Sequence, residues 1–261
     1  MILSPRQLQE LFMQLIGRDL KSRYLGSFSG FAWAVVYPAS LLAVYAWVFG
    51  TILGDGKPQH EGVSFAAFLA LGLWPWLAFS ESLNRATSAI VENSGLIGKI
   101  ALPSWVLVAT AASASFLIHL LGFAIALILL IATGTGLHLI GLLHALWLMG
   151  ALYVFLLGLC LLFAALNVFI RDLQHALSPV LTLLFFLTPI VYAKRSLPSG
   201  MSWLADVNPI ALVIHGIREG LLRGVGPDLS ASLLIICAAT LSLALGASVH
   251  SRLNRHFEDF L

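Results

Sequence analysis

From residue 100 to residue 170 the chain runs for 71 positions without an Asp, Glu, Lys or Arg. A soluble fold cannot hide so long an uncharged stretch. A helix crossing the hydrocarbon core of a bilayer takes ~20 apolar residues, so the run has room for two crossings. Between them, "TGTG" at 133–136 supplies the Gly/Thr punctuation of a turn. Four more uncharged stretches, 24–54, 62–80, 173–193 and 229–251, have the length for one crossing each. Composition agrees: 59% of residues are hydrophobic and 10% charged, against about 25% charged in a soluble domain. The expected fold is all-α, a polytopic membrane protein forming one transmembrane domain over 1–261. Its six spans fall at about 31–53, 63–83, 104–132, 138–166, 176–193 and 229–250.

The stretch before the first span reads differently. In "SPRQLQELFMQLIGRDLKSR" (4–23), Leu8, Leu11, Phe12, Leu15 and Ile16 recur at helical spacing, and the charges occupy the other arc. Ser4 is the expected N-cap and Pro5 the first helical residue. Such an amphipathic helix is expected to lie in the headgroup plane with its apolar face down. The alternative is a helix packed on the protein. Its end bunches four charges, Arg18, Asp19, Lys21 and Arg23, next to Tyr24, and no further charge follows before Asp55. These cations suit an anchor at an anionic membrane surface, with "GSFSG" (26–30) as a hinge into the first span.

Six spans put both termini on one side. That side would carry Arg6, Arg18, Lys21, Arg23, Arg85, Lys99, Arg171, Arg252 and Arg255, and the other Lys57, Lys194, Arg195, Arg218 and Arg223. The excess of positive charge predicts cytoplasmic termini. The external segment 194–228 is more than a loop. Asn208 and Pro209 form a cap and first turn, Gly224 a stop, and Ile210, Val213, Ile214, Ile217 and Leu221 an apolar stripe. A helix so short and apolar is expected to dip back toward the bilayer.

The chemistry that is missing narrows the function. No phosphate-binding loop occurs, since "GLIGKI" (95–100) lacks the spacing and the hydroxyl. Ion-driven carriers place ionisable groups in the bilayer. Here Glu81, expected near the cytoplasmic end of the second span, is the one Asp, Glu, Lys or Arg within the spans, and His119 is the titratable group expected near a midplane. For His119 a hydrogen bond between helices competes with a role in proton coupling. His138, His144 and His175 have no catalytic partners in sequence, so no enzyme is expected. Cys160 and Cys237 fall inside spans as packing residues, with no disulfide framework or metal spacing. A net charge of +2 gives no reason to expect a nucleic-acid partner. A transporter built this way would take its energy from another subunit.

Aromatic residues are the last conspicuous feature. Trp33, Tyr37, Tyr45, Trp47 and Phe49 fit interfacial belts. "WPW" (74–76) and Phe79 fall near the middle of the second span, where Pro75 should kink the helix. They predict either tight packing or a cavity wall.

Long strings then match a known family: "RDLKSRYLGSFSGFAWAVVYP" (18–38), "LGLWPWLAFSESLNRATSAIVENSGLIGKIALPSWVL" (71–107), "LNVFIRDLQHALSPVLTLLFFLTPIVY" (166–192) and "NPI" (208–210). The chain resembles the permease subunit of type-2 ABC exporters of lipid-linked polysaccharide. The resemblance implies a homodimer in a bacterial inner membrane, in contact with membrane lipid. Each copy would bind one cytoplasmic ATPase subunit, which holds ATP and Mg²⁺, while the chain itself holds no cofactor or metal. It implies a coupling segment over 84–104, with Ala89, Ile90, Glu92, Asn93, Leu96 and Lys99 facing the ATPase, and a second contact at Arg171 and Asp172. Solvated loop charges, and a local Arg171–Asp172 ion pair, are the plainer alternatives. The first, second and fifth spans of both copies would line the channel, with Trp33, Tyr37, Tyr45, Trp74, Trp76, Phe79, Phe185, Phe186 and Tyr192 as candidates. Pro209, Ile210, Val213, Ile217 and Leu221 would form an external gate, or alternatively a lid. Arg18, Lys21, Arg23 and Tyr24 would meet the pyrophosphate of an undecaprenyl carrier. O antigen is the leading cargo, with capsule, teichoic acid, or a drug or lipid as alternatives. A membrane scaffold for glycan synthesis is the alternative of another class.

Overall fold

The computed structural model describes residues 4–24, 33–48, 63–97, 102–194, 197 and 200–261, and among them every regular element is helical. The hinge 26–30, Phe49, the end of the expected first span, Lys57, Lys99 and Arg195 lie outside the described residues, as do the side chains of Arg23, Tyr24 and Leu96. Four helices are long and apolar enough to cross a membrane: α3 (Phe65–Glu92), α5 (Ser104–Ala132), α6 (Leu139–Phe169) and α10 (Leu229–Leu253), the last continued by a 3-10 turn, Asn254–Asp259. Two shorter apolar helices, α2 (Trp33–Trp47) and α7 (Leu173–Leu187), fall where the first and fifth spans were expected. The remainder are α1 (Pro5–Tyr24), α4 (Ser94–Ile97), α8 (Ser202–Val207) and α9 (Pro209–Arg223).

Local chemistry sets the boundaries. Ser4 Oγ accepts from the Gln7 N–H and Gln7 Oε1 from the Ser4 N–H, a reciprocal cap that starts α1. Gly134, at φ +83°, turns the chain after α5. The Asn208 side chain accepts from the Ile210 N–H at 3.0 Å, Pro209 follows, and Gly224 closes α9 in the left-handed conformation. The second span departs most from expectation. It runs on without a break to Glu92, so residues 86–92 belong to α3 and only the single turn of α4 follows.

Helix α3 is the central element, buried along most of its length and packed against α5 and α6. Helix α10 packs on α6 where both backbones lack side chains. A Cβ on Gly158 would strike the Ser242 backbone, and one on Gly246 would strike the Gly158 carbonyl. Ser242 Oγ donates to the Phe155 carbonyl at 2.9 Å across the same crossing. Close backbone approach of this kind lets helices associate where the solvent is as apolar as their side chains. Helices α2 and α7 border α3, and each carries an internal proline, Pro38 and Pro179.

Both described chain ends lie at one end of the bundle, called here the terminal end, with the start of α5 and the α6–α7 elbow. Helices α8 and α9 form the far end.

Candidate functional site

At the far end α9 is seated in the protomer. Ile210, Val213, Ile214, Ile217 and Leu221 are at most 2% exposed. The candidate gate residues Ile210, Val213, Ile217 and Leu221 therefore face the core of their own chain, because the apolar stripe finds α3 and α6 rather than an open passage. Three ties hold the helix. Asn208 Nδ2 donates to Thr188 Oγ1 at 3.0 Å, the His138 N–H at the start of α6 donates to the Leu221 carbonyl at 2.9 Å, and Gly141 meets the Gly220 backbone so closely that no Cβ fits.

A further tie is Arg218, which its sequence neighbours group with exposed polar residues and which is 5% exposed. Its Nε donates to the Phe68 carbonyl (3.0 Å), Nη1 to that of Pro189 (2.8 Å) and Nη2 to that of Ile190 (2.7 Å). The guanidinium also lies 3.4 Å from the Phe68 ring centroid. Beyond Leu187 the buried stretch 188–191 leaves helical geometry, and its carbonyls need donors. A planar fork with several N–H groups can serve two adjacent carbonyls and a third element at once. Gly72 makes the room, since a side chain there would collide with the guanidinium. The sequence signal was available: Arg218 directly follows Ile217 of the apolar stripe. Beside it a cleft of about 600 Å³ opens between α8, α9 and the start of α10, with the Lys194–Asp206 ion pair at its rim.

At the terminal end contacts are made by side chains. Leu8, Leu11, Phe12 and Leu15 pack with Leu102, Val106 and Leu107, and Ile16 is also buried. The protein thus covers Leu15 and Ile16 of the apolar stripe of α1 and leaves Leu8, Leu11 and Phe12 partly open. Asp19 pairs with Arg85 of α3 at 3.5 Å, while Arg18 and Lys21 are exposed. Ser104 Oγ donates to Asn254 Oδ1 (2.5 Å) and lies 2.9 Å from His250 Nε2, joining α5 to the end of α10. Phe257, 1% exposed, packs on Phe169, and Phe260 stands edge-on to the same ring.

The coupling candidates divide. Ala89 and Ile90 are buried by the continued α3 and present nothing to a partner, whereas Glu92 is exposed and accepts from Ser88 Oγ at 2.7 Å. Asn93 caps α3, its Nδ2 donating to the Ala89 carbonyl. Arg171 and Asp172 are exposed at the elbow without pairing to each other; Arg171 donates to the Phe260 carbonyl at 3.5 Å.

The aromatic candidates divide as well. Trp74, Trp76 and Phe79 are at most 5% exposed, and Trp76 lies tilted against Phe79 and edge-on to Phe185, so these rings pack. Tyr45 is half-buried against Phe185, and Tyr192 donates to the Phe186 carbonyl at 2.6 Å. Trp33, Tyr37 and Phe186 are more than half exposed.

Near the middle of the bundle, His119 Nε2 donates to Glu81 Oε2 at 2.7 Å. His119 therefore bridges helices, the first of the two roles open to it. The pairing sets Glu81 level with the centre of α5, one helical turn from Arg85.

An all-helical bundle with four membrane-length helices, and shorter apolar helices beside the central one, defines an integral membrane protein. More narrowly, the chain belongs to the ABC-2 type transporter family, whose profile matches residues 10–222. It is 29% identical over 258 residues to the O-antigen export system permease protein RfbA of Myxococcus xanthus, covering 97% of this chain and 96% of that one. The protein of the same description from Klebsiella pneumoniae is 28% identical over 258 residues, with 97% and 95% covered. The polysialic acid transport protein KpsM of Escherichia coli is 26% identical over 208 residues, 79% of each chain.

Proposed function

We propose that this chain is the channel-forming permease subunit of an ATP-driven exporter of lipid-linked polysaccharide, with an undecaprenyl-pyrophosphate-borne O antigen as cargo. One observation carries the reading. The likeness to O-antigen export permeases runs end to end, over 97% of this chain, whereas that to the polysialic acid transporter covers 79%. Two copies form the channel in a bacterial inner membrane with both termini in the cytoplasm, and each binds a soluble ATPase that holds ATP and Mg²⁺. Helices α2 and α7 serve as the first and fifth of six spans, and α9 re-enters the bilayer from outside. The exposed rings of Trp33, Tyr37 and Phe186 then stand on the two helices that flank α3, where sugar faces would stack on them. Glu92, Asn93, Arg171 and Asp172 meet the ATPase at the terminal end, and Arg18 and Lys21 receive the pyrophosphate.

Purification of the tagged chain from its own host in mild detergent, with mass spectrometry of what co-elutes, tests the reading. A soluble ATPase in equal amount is the expected result. A folded, dimeric chain without one would remove the export reading in favour of a membrane scaffold.

A further inference from the structure

The half of α3 nearest the terminal end is covered on every side but one. Ser82, Leu83, Ala86, Thr87, Ala89 and Ile90 are buried. Glu81, Asn84, Arg85, Ser88 and Glu92 are all at least partly exposed, and their spacing places them on one helix face. All five are polar. At the lower part of this strip Arg85 pairs with Asp19 and Ser88 with Glu92, and Asn84 accepts from Ser178 of α7 at 3.4 Å. At its top stands Glu81, whose side chain is 43% exposed although His119 beside it is 4% exposed.

Depth makes that exposure informative. His119 lies fifteen residues into α5, which begins at Ser104 and ends at Ala132, or ~22 Å of helix from its start and ~20 Å from its end. Glu81 is held at the same level, in the middle of a bilayer-length bundle. A carboxylate there is costly against acyl chains and is found facing a protein partner or a water-filled cavity. The strip below it is equally unsuited to lipid. It runs unbroken from the terminal end to mid-depth.

We propose that this face of α3 is the hydrated wall of the translocation path, and that Glu81, fixed by His119, selects uncharged, hydroxyl-rich chains over acidic ones. The proposal rests on the export reading above and names the cargo class more narrowly. A carboxylate is a strong acceptor for sugar hydroxyls. It repels another acid group most where the surroundings are least polar. His119 contributes by position: its Nε2 fixes the carboxylate, and its Nδ1 finds no partner among the described residues.

The test uses the chain in native membrane vesicles. In a Cys237→Ser background, Glu81→Cys, and separately Asn84→Cys, which leaves the His119–Glu81 pair intact, are treated with a cationic, membrane-impermeant thiosulfonate. Native Cys237, exposed on α10, is the control in the parent chain. Because the thiolate is the reacting form, both introduced thiols are expected to react roughly tenfold faster than Cys237 or more. Labelling no faster than the control overturns the hydrated wall, whatever the cargo. Selectivity is read with Glu81→Gln in cells that make a neutral and an acidic polymer. The ratio of acidic to neutral export should rise roughly tenfold as the repulsion is removed, and an unchanged ratio overturns the selection. A parent chain that exports neither polymer overturns the export reading and the selectivity with it, and leaves the labelling to decide the wall.

Discussion

The two ends of this bundle are joined in different ways. At the far end, beside the side-chain tie of Asn208 to Thr188, the joints close on backbone: Arg218 gathers carbonyls from two other elements, and Gly141 brings α6 onto the backbone of α9. At the terminal end they are made by side-chain tips, namely Asp19 to Arg85, His250 and Asn254 to Ser104, and Phe257 to Phe169. Backbone joints have one geometry and break if displaced. Side-chain joints can change rotamer and re-form. The far end is accordingly the stiffer of the two, and the terminal end the one whose helices can shift against one another without unfolding.

The sharpest way to break this contrast is Arg218→Ala. It takes the guanidinium donors from the buried Pro189 and Ile190 carbonyls and should cost ~3–5 kcal/mol, seen as a large drop in the melting temperature of the detergent-purified chain. Arg218→Lys should recover only part of it, because an ammonium cannot fork to several carbonyls. Next comes Gly141→Val, which forces α6 off α9 and should cost ~1–3 kcal/mol by the same measurement. At the terminal end His250→Ala removes one contact with Ser104 and should cost about 1 kcal/mol. Asp19→Asn should change stability least, by ~0–1 kcal/mol, since Arg85 is 42% exposed and the pair is screened. If His250→Ala proved as damaging as Arg218→Ala, the two ends would be equally rigid and the contrast would fail. Measuring all four in the same detergent decides it.

Much of the fold is legible in the chain itself. The uncharged run 100–170 and its "TGTG" turn foretell α5 and α6, and Ser4, Asn208, Pro209 and Gly224 act as the caps and stops they promise. Each of these signals is local, settled by a few neighbouring residues and the solvent. The site is far less legible. Trp74 and Trp76 suggest equally a cavity wall or packing, and only their neighbours, with Phe79 and Phe185 against Trp76, decide for packing. The apolar stripe of α9 is visible, but not that it turns inward, because periodicity fixes a helix face and says nothing of what covers it. Nor do the residues near Glu92 announce that α3 continues through them, since a helix tolerates an amphipathic tail beyond the membrane without any local stop.

What the sequence determined by itself was solvent and several of the helix ends, because hydrophobicity and capping act over one or two turns. What the tertiary structure decided was partnership. Phe68 and Arg218 are 150 residues apart, and Glu81 and His119 are 38 apart. A buried cation and a mid-depth carboxylate look like liabilities along the chain. They become a joint and a candidate contact for cargo only when folding brings a carbonyl or an imidazole within 3.0 Å, since hydrogen bonding depends on distance in space and not along the chain.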